Sequence, residues 1–274
     1  MNMSIAIQGI KGSFHHLVAN EYFGESTSIA ECMSFDTLVN KVVNGDCTYG
    51  VMAIENSIAG AILPNYNLID EANLNVVGEY FLRVEHNLMA LKGQKLSEIK
   101  EVYSHPMALL QCKSFFRNLP NIKLVEDKDT AEVAKRIDDK KLMHVGAIAS
   151  AKAASLYDLD VLEESIQTIK HNETRFIILS SSKNEELDDL LNKASIKFDL
   201  RHDRGCLASV LNVISDCGLN LTKIQSLPKI DSPWSYSFFI DVTFNKVSEF
   251  EKAQAIIKLM AEDFKLLGVY KSAK

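Results

Sequence analysis

Tyr49-Gly50-Val51-Met52-Ala53-Ile54-Glu55-Asn56-Ser57 opens as an apolar run and closes in three consecutive polar residues. A short apolar run bounded in this way reads as a buried strand. The polar triplet then falls at the strand's C-terminal end, where ligands gather in α/β sheets. Asn56 or Ser57 is suited to cap a following helix, leaving free amides for a carboxylate. The plainer reading is a helix cap and nothing more. Glu55 is harder to explain as packing, because an unpaired carboxylate so close to a buried strand is costly.

Working outward, Ser4-Ile5-Ala6-Ile7 is another apolar run, ending at Gly9. A loop with Gly12 and Ser13 follows, then a helix through about Phe23. Val76 and Val77 suggest a third strand, residues 81–91 a fourth and residues 101–103 a fifth. Ser104 is suited to N-cap the next helix, with Pro106 in its first turn. Behind it Ala108, Cys112, Phe115 and Leu119 recur at helical spacing. Asp129 and Thr130 cap a helix from Ala131 to about Ile137. A strand is expected over 144–148, a helix from Ser150 through Tyr157, and a strand over 175–179. The alternation predicts an α/β fold with one or two mostly parallel sheets.

Residues 180–193 are polar and charge-rich, as in a linker or connecting helix. Beyond them strands are expected over 195–200, 221–227, 236–244 and 264–270, and helices over 205–214 and 247–261. Leu207, Val210, Leu211 and Ile214 share one helical face. This βαββαβ order is ferredoxin-like. Its core is small and its sheet edges are open, so edge pairing between two copies is an expected route to a dimer.

The chain has 274 residues, 47% apolar and 24% charged, with a net charge of -6. These are the proportions of a globular protein. The acidic balance argues against a nucleic-acid binder, which would carry a basic stripe. No apolar run is long enough to span a bilayer. Residues 1–10 lack the basic flank and long apolar centre of a signal peptide, so a cytoplasmic location is expected. Cys32, Cys47, Cys112, Cys206 and Cys217 form no C-x-x-C pair, which speaks against a disulfide framework and a structural zinc site. The histidines show no i, i+4 pair, and no metal motif is present.

Two further segments carry chemistry. Gly9-Ile10-Lys11-Gly12-Ser13-Phe14 joins a strand to a helix, where glycines let the backbone approach a ligand and helix-start amides favour an anion. It is otherwise a glycine turn. It is neither a P-loop nor the dinucleotide fingerprint. Asn172-Glu173-Thr174-Arg175-Phe176 puts a hydroxyl, a fixed cation and an aromatic ring where a loop becomes a strand. Taken alone, that is an ordinary strand start.

Together, in order and spacing, the three segments resemble prephenate dehydratase. The intervening chain matches too, through Ser104-His105-Pro106 with Ala108, Gln111 and Cys112, and through Ala147-Ile148-Ala149-Ser150 with Ala153, Ala154, Tyr157 and Leu159. Asn220-Leu221-Thr222-Lys223-Ile224 and Tyr236-Ser237-Phe238-Phe239-Ile240-Asp241 resemble the family's ACT regulatory domain. The resemblance covers nearly the whole chain. It implies a catalytic domain over 1–182, with two α/β lobes like a type II periplasmic binding protein and an active site in the cleft between them. An ACT domain would occupy 193–274. The chain would cross between lobes near Gly78 and return near Ile169. The N-terminus begins almost directly with the first strand and no chorismate mutase segment is found, so a monofunctional enzyme is expected.

The implied reaction is loss of water and CO2 from prephenate, giving phenylpyruvate in phenylalanine biosynthesis, without a cofactor. The resemblance implies Thr174 as the catalytic hydroxyl, donating a hydrogen bond to the leaving oxygen. Glu55, Asn56 and Ser57 join it as catalytic candidates, with a proton relay through Glu55 or His105. Lys11, Gly12, Ser13, Phe14, Ser104, His105, Arg175 and Phe176 are the substrate-binding candidates. Arg175 or Lys11 would anchor the retained carboxylate, helped by amides near Ser13 and Ser57; Arg175 is equally a structural brace paired with Glu55 or another carboxylate. Phe14 and Phe176 are pocket walls or core.

Arogenate dehydratase shares fold and chemistry and is the alternative enzyme. A non-catalytic amino-acid sensor of the same architecture is the alternative outside catalysis. The ACT segments depart from the family pattern. Gly205-Cys206-Leu207-Ala208 stands where Gly-Ala-Leu-Val is usual, and Gln225-Ser226-Leu227-Pro228 where Glu-Ser-Arg-Pro is usual. Arg204 replaces a proline. In the first catalytic segment Ile10, Ser13 and His15 replace proline, threonine and serine. Phenylalanine would bind between subunits of a homodimer or homotetramer, with altered affinity and with backbone near Asn212, Gly218 and Leu219 still able to hold it. Otherwise the domain serves mainly for dimerisation.

Overall fold

A computed structural model describes residues 3–183, 190–229, 232 and 234–274. From the N-terminus come β1 (Ser4–Gln8), α1 (Phe14–Phe23), β2 (Ser28–Cys32), α2 (Phe35–Val43), β3 (Tyr49–Asn56), β4 (Gly60–Ala61), α3 (Leu63–Glu71) and β5 (Asn75–Arg83). Next are β6 (Asn87–Leu91), a 3-10 turn (Leu96–Glu98), β7 (Glu101–Ser104), α4 (Pro106–Gln111), α5 (Lys113–Phe116), β8 (Lys123–Glu126) and α6 (Thr130–Lys140). Then follow β9 (Val145–Ala149), α7 (Ala151–Leu156), β10 (Leu159–Glu163) and β11 (Glu173–Ser180). The chain closes with β12 (Lys193–Asp199), α8 (Cys206–Asp216), β13 (Asn220–Pro228), β14 (Tyr236–Thr243), α9 (Val247–Met260) and β15 (Asp263–Tyr270).

These strands form a mixed α/β fold of three sheets. A six-stranded sheet runs β2-β1-β3-β11-β5, with β4 paired to β3; a five-stranded sheet runs β10-β6-β9-β7-β8; a four-stranded sheet runs β13-β14-β12-β15. β1 is parallel to both β2 and β3, and β7 to both β8 and β9. The expectation of mostly parallel sheets needs correcting for the second one, where β6 is antiparallel to β9 and β10. β6 brings the chain into that sheet and β10 takes it out in the opposite direction.

Three local expectations also change. β5 is one strand through Arg83, so the passage from the first sheet to the second comes at residues 84–86 and not near Gly78. His105, not Ser104, is the N-cap of α4, its Nδ1 accepting from the Met107 amide at 3.2 Å. The helix expected to run on past Cys112 is broken there into α4 and α5. The polar stretch read as a linker includes residues 184–189, which lie outside the described residues.

The chain divides into two compact units, Met1–Gly60 with Phe81–Phe176 and Ala61–Tyr80 with Ile177–Lys274. In the first unit the five-stranded sheet is apolar on both faces. Alternation along β6 sends Met89 to the side packed by Ala131, Ala134, Ile137 and Ala153, and Leu88 and Ala90 to the side packed by Ala108, Leu109 and Phe116.

In the second unit β12 alternates in the same way, with Ala194, Ile196 and Phe198 against Val210, Ile214, Phe250 and Ile257 of α8 and α9. Its polar face, Lys193, Ser195, Lys197 and Asp199, is buried as well. Residues of 61–80 supply the reason. Glu79 bonds Lys193 Nζ at 2.8 Å, Asp70 bonds Lys265 Nζ at 2.7 Å, and Tyr66 meets the Phe239 ring edge-on at 5.3 Å. β15 comes so close that a Cβ on Gly268 would stand 1.9 Å from the Val76 carbonyl oxygen.

Candidate active site

β3 ends and β11 begins side by side, and a chain of side-chain amides starts from that junction. Asn56 Oδ1 accepts from the amides of Ile58 and Ala59 at 3.0 and 2.9 Å. Backbone N–H groups only donate, so this oxygen is fixed and Asn56 Nδ2 faces the other way. Nδ2 donates to Asn172 Oδ1 at 2.8 Å and Thr174 Oγ1 at 2.9 Å. Asn172 Nδ2 therefore donates onward, to Gln111 Oε1 at 2.9 Å. The same oxygen stands 2.9 Å from His86 Nε2. A carbonyl oxygen cannot donate, so His86 Nε2 carries the proton.

The polarity of five side chains thus follows from two backbone amides. At one end the Thr174 oxygen is occupied as an acceptor, and its hydrogen meets no acceptor among the described residues. At the other end His86 Nδ1 is buried and without a partner among the described residues. Burial, above all, holds the His86 pKa below its ordinary value, so the ring is neutral. Asn172 is fully buried and Thr174 8% exposed, which keeps water from competing for these bonds.

The first glycine segment reaches the same region. Phe14 meets the His86 ring edge-on at 5.6 Å. Gly12 is left-handed at φ 92°, and a Cβ there would lie 3.1 Å from Ala153 Cα. Its carbonyl accepts from Ser150 Oγ at 2.6 Å, and the Lys11 carbonyl accepts from Tyr157 Oη at 2.6 Å. Ser13 Oγ caps α1 by accepting from the His16 amide at 3.3 Å, and its own amide donates to Ile10. The amides of Phe14 and His15 open the helix without an acceptor among the described residues, a position that favours an anion.

Other expected site residues sit differently. No helix follows Asn56-Ser57. The amides once open to a carboxylate are taken up, those of Ile58 and Ala59 by Asn56 itself and that of Ser57 by the Glu173 carbonyl at 2.8 Å. Ser57 Oγ accepts from the Glu173 amide at 3.0 Å, completing a clasp between β3 and β11. Strand alternation turns Thr174 and Phe176 to one side and Arg175 to the other. Arg175 is buried. Phe176 is a core residue, 1% exposed, its ring edge-on to His15 at 5.0 Å. Ser104 is fully buried and donates to the Ile148 carbonyl at 2.7 Å, which ties β7 to β9. His105 and Lys11 are exposed, and Glu55 is half-buried near the end of β3.

Asn172, Gln111 and His86 had no assigned role in the sequence reading. Asn172 had a signal, because two residues before Thr174 on a strand means the same face. Gln111 and His86 are isolated polar residues in unrelated segments, and only the fold brings them together. Among the described residues no group of three His, Cys, Asp or Glu could hold a metal ion, and no helix is long and apolar enough to cross a membrane.

In the second unit, Gly205 N-caps α8 at φ 84°, and Cys206 and Leu207 line a cavity of about 170 Å³ with Leu200, His202, Tyr236 and Phe238. Ser226 and Pro228 pair with Phe238 and Tyr236 across the strands. Asn212, Gly218 and Ala208 are exposed, whereas Leu219 and Leu227 are buried. Gln225 Nε2 donates to the Ser226 carbonyl at 2.9 Å.

The family model described as prephenate dehydratase matches residues 5–184. A bifunctional chorismate mutase/prephenate dehydratase from Enterobacter agglomerans is 32% identical over 272 residues, spanning 98% of this chain and 70% of that protein. A prephenate dehydratase from Arthrobacter aurescens, solved in complex with L-Phe, superposes with a TM-score of 0.87 at 25% identity over 99% of this chain and 90% of that one. GqqA, described as a novel type of quorum quenching acylase, superposes with a TM-score of 0.87 at 26% identity over 98% of both chains.

Proposed function

The chain belongs to the prephenate dehydratase family and is a hydro-lyase of phenylalanine biosynthesis; we propose that its substrate is prephenate and that Thr174 assists the departing hydroxyl. In the reaction the C4–O bond breaks and the bond from C1 to its carboxylate breaks. The electron pair released with CO2 enters the ring, which becomes aromatic, and the hydroxyl takes up one proton to leave as water. The observation that carries the reading is the Asn56–Thr174 bond of 2.9 Å, which occupies the threonine oxygen and frees its hydrogen for a ligand oxygen. Because unrelated activities share folds, this site argument, and not the superposition with the acylase, is what supports the chemistry.

Thr174 is a hydrogen-bond donor and not the acid, since an aliphatic hydroxyl does not ionise at neutral pH. Glu55 or His105 supplies the proton. The open amides of Phe14 and His15 receive the retained carboxylate, with Lys11 as its cationic partner; Arg175, buried and turned to the other side of β11, takes the role of structural brace. Asn56 and Ser57 hold the donor in place, Gly12 and Ser13 shape the helix start, and Phe14 faces the ligand. Ser104 keeps β7 and β9 in register behind His105. The first unit's two sheets correspond, on this reading, to the lobes of a type II periplasmic-binding-protein fold.

The four-stranded sheet with α8 and α9 serves as a ferredoxin-like ACT domain that binds L-phenylalanine, its zwitterion held near Gly205, Leu207 and Ser226 at an interface between copies. Gln225 and Leu227 lack the charges usual in the family, so affinity is altered. Calorimetric titration with phenylalanine tests this part; no heat and no inhibition would overturn it and leave a dimerisation module. The catalytic reading is tested by incubating the protein with prephenate and following phenylpyruvate absorbance. Parallel kcat/KM values for prephenate and arogenate choose between the two dehydratases, and turnover of neither would support a non-catalytic sensor.

A further inference from the structure

We propose that His86 is a positioning residue for the Thr174 hydroxyl, acting through Gln111, Asn172 and Asn56. The proposal rests on the reading of Thr174 as donor. The Gln111 oxygen receives two hydrogen bonds, from Asn172 at 2.9 Å and from His86 at 2.9 Å. If His86 carried its proton on Nδ1, two lone pairs would face each other at 2.9 Å. Relief would come from turning the Gln111 amide, which would present an N–H to Asn172 Nδ2, itself a donor. The clash would pass along the chain to Asn56, whose orientation is pinned by two backbone amides. Of the two neutral forms of His86, only Nε2–H serves the Gln111 oxygen and leaves the chain of bonds intact as far as Thr174.

The surroundings hold His86 in that form. The ring is 4% exposed, with Phe14 edge-on at 5.6 Å and its own amide donating to Gln167 Oε1 at 2.9 Å. Burial of the ring disfavours the imidazolium, and a proton on nearby His105 would disfavour it further. No local sequence pattern marks His86, because its effect passes through four segments of the chain.

The test uses the full chain. Nitrogen-15 NMR of the wild-type imidazole near neutral pH is expected to show a neutral ring with the proton on Nε2; an Nδ1–H ring or an imidazolium would overturn the proposal, whatever the activity. His86→Gln places an amide nitrogen near the Nε2 position and is expected to keep kcat within about threefold. His86→Asn and His86→Phe lack that donor and are expected to lose roughly tenfold in kcat with KM nearly unchanged. Rescue by Asn but not by Gln would overturn the proposal. Combining His86→Phe with Thr174→Ala should add no further loss, whereas an additive loss would show that His86 does not act through Thr174. The Thr174→Ala variant alone tests the donor reading separately.

Discussion

Asn56 Nδ2 donates to Thr174 Oγ1 at 2.9 Å while the Asn56 carbonyl oxygen is held by two backbone amides, so the direction of this hydrogen bond cannot reverse. A threonine that already accepts this bond keeps its hydrogen free to donate to a ligand oxygen. Thr174→Ala should therefore lower kcat by roughly 10²–10³-fold, as for loss of a preorganised donor, with KM changed only a few-fold. Steady-state assay of phenylpyruvate formation checks it, and near-normal turnover would exclude the role.

Asn56→Asp is the sharper probe. It keeps the acceptor for Ile58 and Ala59 but replaces the donor to Thr174 with a carboxylate oxygen, which would draw the threonine proton to itself. The expected loss in kcat matches that of Thr174→Ala, although the threonine is still present. Should Asn56→Asp turn over far faster than Thr174→Ala, the fixed direction of the bond would not matter for catalysis.

Glu55 and His105 are separable by the pH dependence of the rate. With Glu55→Gln the limb of the kcat profile belonging to the acid should disappear if Glu55 supplies the proton. A profile identical to wild type assigns the proton to another group, and the same measurement on His105→Gln then examines the other candidate.

His15 predicts a pH dependence of stability. Burial lowers its pKa from 6.5 to about 3 in the folded chain. Between those values the unfolded chain binds a proton that the folded one does not. Stability is fully present above 6.5 and is lost as pH falls, by about 1.4 kcal/mol per pH unit from this group. Unfolding free energies from urea titrations of wild type and His15→Gln between pH 6.5 and 4 should diverge by that slope. Parallel lines would show that His15 is not the neutral buried ring described.

The Lys193–Glu79 pair is buried on both sides, with side-chain exposures of 6% and 0%. Lys193→Met leaves a buried carboxylate and should cost about 3–5 kcal/mol in urea denaturation. The double variant Lys193→Met with Glu79→Met should recover most of the loss. A double variant as unstable as the single would point to packing and not charge.

How far the sequence could be read depended on whether its signals were local. β1, β3, β9 and β11 announce themselves as apolar runs, and Asp129 and Ser150 as caps of α6 and α7. β5 reads as two strands because Gly78-Glu79-Tyr80 looks like an interruption; Glu79 is tolerated there because Lys193, far along the chain, pairs with it. Likewise β12 alternates as if one face met solvent, yet Lys193, Ser195, Lys197 and Asp199 are all buried. In the site, Asn56 and Thr174 stand out as polar groups at strand ends. Phe176 was ambiguous by type, and its position against His15 makes it core. His86 was silent, since a lone histidine after a strand carries no signal until Gln111 is folded against it.

Residues 61–80 leave the first unit's stretch of chain to pack with strands that come more than a hundred residues later. On a ribosome this order has a cost. The segment emerges early and exposes Tyr66, Asp70 and Glu79 with nothing to receive them until β12, β14 and β15 have been synthesised. The second unit cannot finish folding until β15 has been made, so chains stalled or truncated before that strand present an unfilled seam to chaperones.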